Sequence, residues 1–265
     1  RDKDGLGIGF LNAITEKTMA TVSNDDNGET RQIEVSPLTN YNVTVFDQRF
    51  NQNSSVTFIN TNVTRNGSFR DANVTGLLFD LNDKSNKYNI SGGLKSSSIN
   101  DTENSNGINA SVYLAEKNGK FRYSFGGDYV SKDFDNNDLG INFRTNYYSV
   151  YNDANYRILN PNSIFNTFRI SLASYFEFYK PTNQIQSSNF NMNLNSTNKK
   201  NHYFGGGLNF NPFKNYNYYE PRVADRYFVN PENAGGYFYF SSNYNNKFDV
   251  DFNPYITQVL NENCY

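Results

Sequence analysis

A single cysteine, Cys264, leaves this chain without any possible internal disulfide. Its only histidine is His202, so a Ser-His-Asp or Cys-His site would have to be built on that residue. No nucleophile signature accompanies it, and beside Lys199 and Lys200 it reads as a loop residue. No apolar run approaches the roughly 18 residues that a membrane helix needs, which excludes a helical membrane protein. A membrane β-barrel stays open, because its signal is alternation rather than hydropathy. With a net charge of −2 and scattered Lys and Arg, nothing resembles a nucleic-acid footprint. No signal peptide stands at the start. The chain opens on Arg1-Asp2-Lys3-Asp4 and passes at once into Gly5-Leu6-Gly7-Ile8-Gly9-Phe10, which reads as the middle of a longer protein. Hydrophobic residues are also scarce, at 37%. The mean hydropathy of −0.75 is low for a packed globule.

Aromatic residues, by contrast, are abundant: 21 Tyr and 23 Phe. They fall into a rhythm of two. Phe121, Tyr123, Phe125 and Tyr129 alternate with Arg122, Ser124, Gly126 and Asp128. Ile108, Ala110, Val112 and Leu114 alternate with Asn109, Ser111 and Tyr113, and Leu139, Ile141 and Phe143 with Gly140, Asn142 and Arg144. Successive side chains of a strand point to opposite faces, so each stretch has one apolar and one polar face. Low hydrophobicity with many aromatics is expected if half the strand residues face a wet lumen and aromatics form girdles. A β-sandwich or β-solenoid with a wet outer face is the competing reading. Asn makes up roughly one residue in six. Many Asn sit at turns, where they tolerate positive φ. Others alternate with apolar residues, as Asn189, Asn191, Asn193 and Asn195 do with Phe190, Met192 and Leu194.

Strands are expected over 6–22, 41–48, 55–64, 73–81, 87–97, 108–116, 120–130, 139–148, 154–159, 165–178, 186–196, 202–210, 236–244 and 248–253. Several exceed the usual soluble strand of about 5–6 residues and approach the 9–11 of a membrane strand. Connectors carry turn signals, such as Asn66-Gly67 and Asn118-Gly119, and in the first half several alternate between short and long. The largest interruption, 211–235, holds Pro212, Pro221 and Pro231 and is expected to be an ordered loop.

Chemistry-bearing motifs are few. Gly205-Gly206-Gly207 lies inside a strand pattern and leads to Asn211-Pro212 rather than a helix, so it is no phosphate loop and is expected to relieve crowding. Asp133, Asp135 and Asp138 mimic a calcium loop, but Asp138 stands where its glycine should be and Arg144 where its Glu should be. A solvated acidic loop is the better reading. The Asn-x-Ser/Thr triplets at Asn62 and Asn73 arise by chance in such a composition. Tyr216, Tyr218 and Tyr219, with Glu220 and Arg222 beside them, form the best ligand-site candidate. Flat aromatic faces and planar polar groups suit sugar rings, although interface anchors or a packed loop would use the same residues. No catalytic residues, cofactor or metal site are expected.

Seven segments carry a resemblance: Gly7–Thr15, Thr39–Phe50, Asn60–Arg65, Gly127-Asp128-Tyr129, Asn142–Tyr147, Tyr156–Pro161 and Tyr219-Glu220-Pro221-Arg222. Together they resemble a family of large bacterial outer-membrane proteins in which a module similar to family-9 carbohydrate-binding domains precedes a β-barrel region of unknown function. The resemblance covers nearly the whole chain, as the middle part of that barrel region, and implies location and architecture more than chemistry. The expectation is a transmembrane antiparallel up-and-down β-barrel of about 14 visible strands, spanning 1–265 and part of a larger barrel in a Gram-negative outer membrane. Phe121, Tyr123, Phe125, Leu139, Ile141 and Phe143 would face lipid; Arg122, Asn142 and Arg144 would face the lumen. The expected function is binding or passage of a carbohydrate or similar polar solute at the cell surface. The alternatives are a structural or assembly subunit with envelope protein partners, and a soluble carbohydrate-binding β-protein.

Overall fold

A computed structural model describes residues 2–24, 28–223 and 226–260, so Cys264 lies outside the described residues. Every regular element among them is a strand. The strands are β1 (Leu6–Thr15), β2 (Thr18–Ser23), β3 (Thr30–Ser36), β4 (Thr39–Phe50), β5 (Ser54–Arg65), β6 (Asp71–Asn82), β7 (Tyr88–Asn100), β8 (Ser105–Glu116) and β9 (Phe121–Val130). Then follow β10 (Tyr147–Ile158), β11 (Phe165–Tyr179), β12 (Gln184–Asn198), β13 (Tyr203–Asn211), β14 (Asn215–Asn217), β15 (Phe228–Asn230), β16 (Asn233–Ser241), β17 (Asp251–Phe252) and β18 (Tyr255–Val259).

Fourteen strands form one sheet in the order β1-β4-β5-β6-β7-β8-β9-β10-β11-β12-β13-β16-β17, with β18 also on β16. The sheet is open: β1 and the β17/β18 edge are not paired to each other. Chain neighbours are sheet neighbours almost throughout, because connectors of a few residues can join only antiparallel strands. The tight turns rest on residues that accept positive φ, among them Asn51, Asn86, Asn183, Asn201 and Gly119. By contacts the chain divides into two compact units. One comprises 1–81, 91–110 and 130–145; the other comprises 82–90, 111–129 and 146–265.

Several expected boundaries move. The stretch 6–22 breaks at Glu16-Lys17 into β1 and β2, and β2 pairs only with β3 in a separate hairpin. The strand expected over 139–148 does not form: 131–146 is a loop and β10 starts at Tyr147. The ladder beside β9 is occupied by the 12 residues of β10, leaving the short Leu139-Ile141-Phe143 alternation no partner strand. Asn142 and Arg144 are therefore loop residues. Asn142 is half-buried and its Oδ1 accepts the Arg144 N–H at 3.2 Å; Arg144 is exposed. Ile141 and Phe143 lie in the same loop and are exposed.

In the first unit the buried apolar side chains are Val63, Ala72, Ile99, Val130 and Phe134. In the second, burial falls mainly on Ser149, Glu177, Gln186, Ser188, Ser196 and Ser241, with Ala115 the only buried apolar side chain among its described residues. Registry places the large apolar side chains on one face, with the buried Ser188 and Ser196 among them. Phe168, Ile170, Leu172 and Phe176 of β11 stand opposite Ser196, Leu194, Met192 and Ser188 on β12, and Phe190 stands opposite Ser174. Leu194 and Met192 in turn stand opposite Gly206 and Leu208 of β13. Opposed residues share a face, so these form one apolar surface. It stays open: Leu172 is 54% and Leu208 61% exposed. Ring contacts knit it together, with centroids 5.2 Å apart for Phe176–Phe190 and for Phe204–Phe240.

Candidate functional site

The opposite face of the second unit is polar. Asn189, Asn191, Asn193 and Asn195 of β12 share it with Tyr175, Ala173, Ser171 and Arg169 of β11. On the other side Asn191, Asn193 and Asn195 stand opposite Asn209, Gly207 and Gly205 of β13. Glu177, only 2% exposed, accepts a 2.7 Å hydrogen bond from the Tyr175 hydroxyl. Arg122 of β9 also alternates away from the exposed Phe121, Tyr123 and Phe125; it is half-buried and its Nε donates to the Gly119 carbonyl at 3.3 Å. His202 is part of a turn, where its Nδ1 accepts the Asn243 N–H at 3.1 Å.

The 211–235 segment is ordered over its described residues and contains the β14–β15 hairpin, with Tyr216 opposite Val229. It docks against the start of β12. Ser188 Oγ donates to Asn215 Oδ1 at 2.9 Å, Gln186 Nε2 donates to the Tyr219 hydroxyl at 3.4 Å, and the Tyr218 hydroxyl donates to Gln184 Oε1. Tyr218 stacks on Tyr179 with centroids 4.1 Å apart, and Tyr227 packs against both Tyr216 and Tyr218. Tyr216, Tyr218 and Tyr219 are half-buried, whereas Glu220 and Arg222 are exposed and form no ion pair among the described residues. The five candidates are thus neighbours, but Tyr218 is stacked on Tyr179, and both Tyr216 and Tyr218 pack against Tyr227.

In the first unit, the 131–145 loop lies on β5–β8 residues. Ser131 N–H donates to the Ile108 carbonyl at 2.9 Å, and its Oγ accepts the Ile108 N–H at 2.8 Å. Asp135 N–H donates to Ser97 Oγ at 3.0 Å. Phe134 is 3% exposed, and its backbone crosses Gly107 so closely that a Cβ there would lie 2.2 Å from the Phe134 N and Cα. Arg65 pairs with Asp138 at 2.6 Å; Arg70 pairs with Asp138 at 2.7 Å and Asp135 at 2.9 Å. Burial would raise the Asp135 carboxyl, but the Asn137 N–H and Arg70 outweigh it and hold it below its ordinary value. Burial would likewise lower Arg70, yet Asp135 and Asp138 raise it. The acidic loop is therefore a latch of two carboxylates on two guanidiniums rather than a solvated run. Its partners, Arg65 and Arg70, lie about 70 residues upstream, and no local spacing signals them.

An all-β protein with one antiparallel meander, its large apolar side chains mostly exposed, is the class that this fold defines. Residues 1–264 match the model of a domain of unknown function (DUF5916), and the chain belongs to that family. No curated protein and no solved structure matches it.

Proposed function

We propose that this chain is part of a transmembrane β-barrel of a bacterial outer membrane that binds or passes a carbohydrate or similar polar solute. The observation that carries the reading is the inverted sheet of the second unit. Its Phe, Leu, Ile and Met face is open at Leu172, Phe190 and Leu208, and its opposite face carries Asn, Tyr, Ser, Arg and Glu. A contiguous apolar face of this kind needs a cover, and lipid is the cover that strands of 12–15 residues suit. The long insertions 16–38, 131–146 and 212–232 follow the first, seventh and eleventh strands of the meander. All are odd-numbered, as alternation of long and short barrel loops requires. The reading assigns no catalysis: the one histidine accepts the Asn243 N–H in a turn, and the sequence around it carries no nucleophile signature.

Adjacent β11 residues test it. In a Cys264→Ser background reconstituted into liposomes, Ser171→Cys should react with a water-soluble maleimide and Leu172→Cys should not. Extraction should require detergent. A protein monodisperse without detergent, with both cysteines equally reactive, would replace the membrane reading by the soluble one.

A further inference from the structure

We propose that β12, β13 and β16 carry a binding cleft for a neutral pyranose oligosaccharide, built on Tyr203, Tyr237 and Tyr239 with Asn193 and Asn195. It deepens the polar-solute half of the functional reading and is independent of the membrane half.

The glycines prepare the site. Gly205 and Gly207 alternate onto the polar face, where Asn195 and Asn193 stand opposite on β12 and Tyr239 and Tyr237 opposite on β16. A Cβ on Gly207 would lie 2.3 Å from the Tyr237 ring and 2.7 Å from Asn193 Oδ1; one on Gly205 would lie 3.2 Å from the Tyr203 ring. The absence of side chains lets both rings lie over the β13 backbone. Each hydroxyl is then tethered to an amide: Tyr237 donates to Asn193 Oδ1 at 3.0 Å, and Tyr203 to Asn195 Oδ1 at 2.5 Å. Tyr239 meets the Tyr203 ring edge-on, with centroids 5.6 Å apart.

Beside these rings is a cleft of about 500 Å³, lined by Asn195, Tyr203, Gly205, Tyr237, Tyr239 and, across it, Asn253 and Tyr255. The lining holds no charged side chain. With its Oδ1 taken by Tyr203, the Asn195 Nδ2 in the lining has no partner among the described residues and can donate to a ligand, while Asn193 holds the Tyr237 ring in place. Immobilised ring faces attract the weakly positive C–H groups of a pyranose, and the Asn195 amide pairs with its hydroxyls. An anionic sugar would lose hydration with no cation in the lining to replace it, since Arg169, opposite Asn195 on β11, stands outside that lining. At Tyr218, by contrast, the ring is stacked on Tyr179, so the 211–235 loop is not this site.

The test uses the full chain in a polyoxyethylene detergent, which has no sugar headgroup. Maltohexaose and cellohexaose are titrated by calorimetry, with an oligogalacturonate of similar length as the charged comparison. At least one neutral hexaose should bind, and oligogalacturonate should bind at least about tenfold more weakly. Tyr237→Ala should weaken binding about tenfold or more, and Gly207→Ala should do the same by displacing the ring. Tyr218→Ala should bind as the parent does. Strand content by circular dichroism shows whether each variant is folded. Tyr237→Phe, which keeps the ring and loses the tether, is the fallback should Gly207→Ala not fold, and should bind more weakly than the parent. No binding of either neutral hexaose, equal binding of the charged one, or a folded Tyr237→Ala with parental affinity would overturn the cleft. Absence of sugar binding from a protein that still needs detergent would leave the barrel reading standing. Sugar binding without detergent would leave the cleft standing and the barrel reading overturned.

Discussion

At the scale of single residues, the sharpest constraint is a hydrogen atom in place of a methyl at Gly107. The Phe134 backbone occupies the position a Cβ would take, with contacts of 2.2 Å, and backbone cannot swing aside as a side-chain tip can. Gly107→Ala should therefore cost about 1–3 kcal/mol, as overpacking does. The cost should appear as release of the loop rather than loss of the sheet. Hydrogen exchange of the Asp135 amide, which donates to Ser97 Oγ, reports it directly. Protection lost there but kept in β4–β6 is the expected pattern; unchanged protection would show that the loop does not rest on Gly107. Nothing local in Ser105-Asn106-Gly107 announces this role, because the crossing backbone comes from Phe134.

At the scale of elements, the 131–146 loop shows how an alternating pattern can mislead. Leu139, Ile141 and Phe143 have the period of a strand, yet a strand needs a partner, and β10 already holds the place beside β9. The loop is held instead by Arg65 and Arg70, which makes its docking depend on acid. Asp135 titrates below its ordinary value of 3.8, so its contribution is fully present above that value and is lost as pH falls through the lower folded-state value. Arg70 is shifted upward and stays charged throughout, adding no pH dependence there. Docking should thus be flat from neutrality to about pH 4 and weaken below it. Exchange of the Asp135 amide measured across that range, corrected for the intrinsic rate, checks this. Release near pH 6 would point to another group. The strands β7, β8 and β9 were legible where this loop was not, because Leu94, Ile108, Val112, Leu114, Phe121, Tyr123 and Phe125 alternate with small or polar residues over whole strands.

At the scale of the whole molecule, the unusual feature is a sheet with almost no apolar interior and many exposed large apolar side chains. If lipid covers the apolar face, a cation placed there should be costly in proportion to depth. Leu172→Arg should destabilise the inserted protein by about 2–4 kcal/mol if the residue is near the midplane. Ile141→Arg should cost little, since that side chain is 76% exposed in a loop. Refolding yield into liposomes, read by heat-modified gel mobility, compares the two. Equal yields would mean that the β11 face does not meet lipid.

The sequence by itself determined the all-β class, the side-chain alternation of most strands, the turns at Asn and Gly, and a 211–235 segment that is ordered over its described residues. These follow from short-range rules: a period of two, φ preferences and loop composition. The tertiary structure alone decided that β2 and β3 leave the main sheet, that 131–146 is a docked loop, and that Tyr203 and Tyr237 lie over Gly205 and Gly207. It also tied Asp135 and Asp138 to Arg65 and Arg70. Each of these depends on which distant strand or side chain occupies a limited position, and a competition between residues far apart in the chain leaves no mark on the spacing of either.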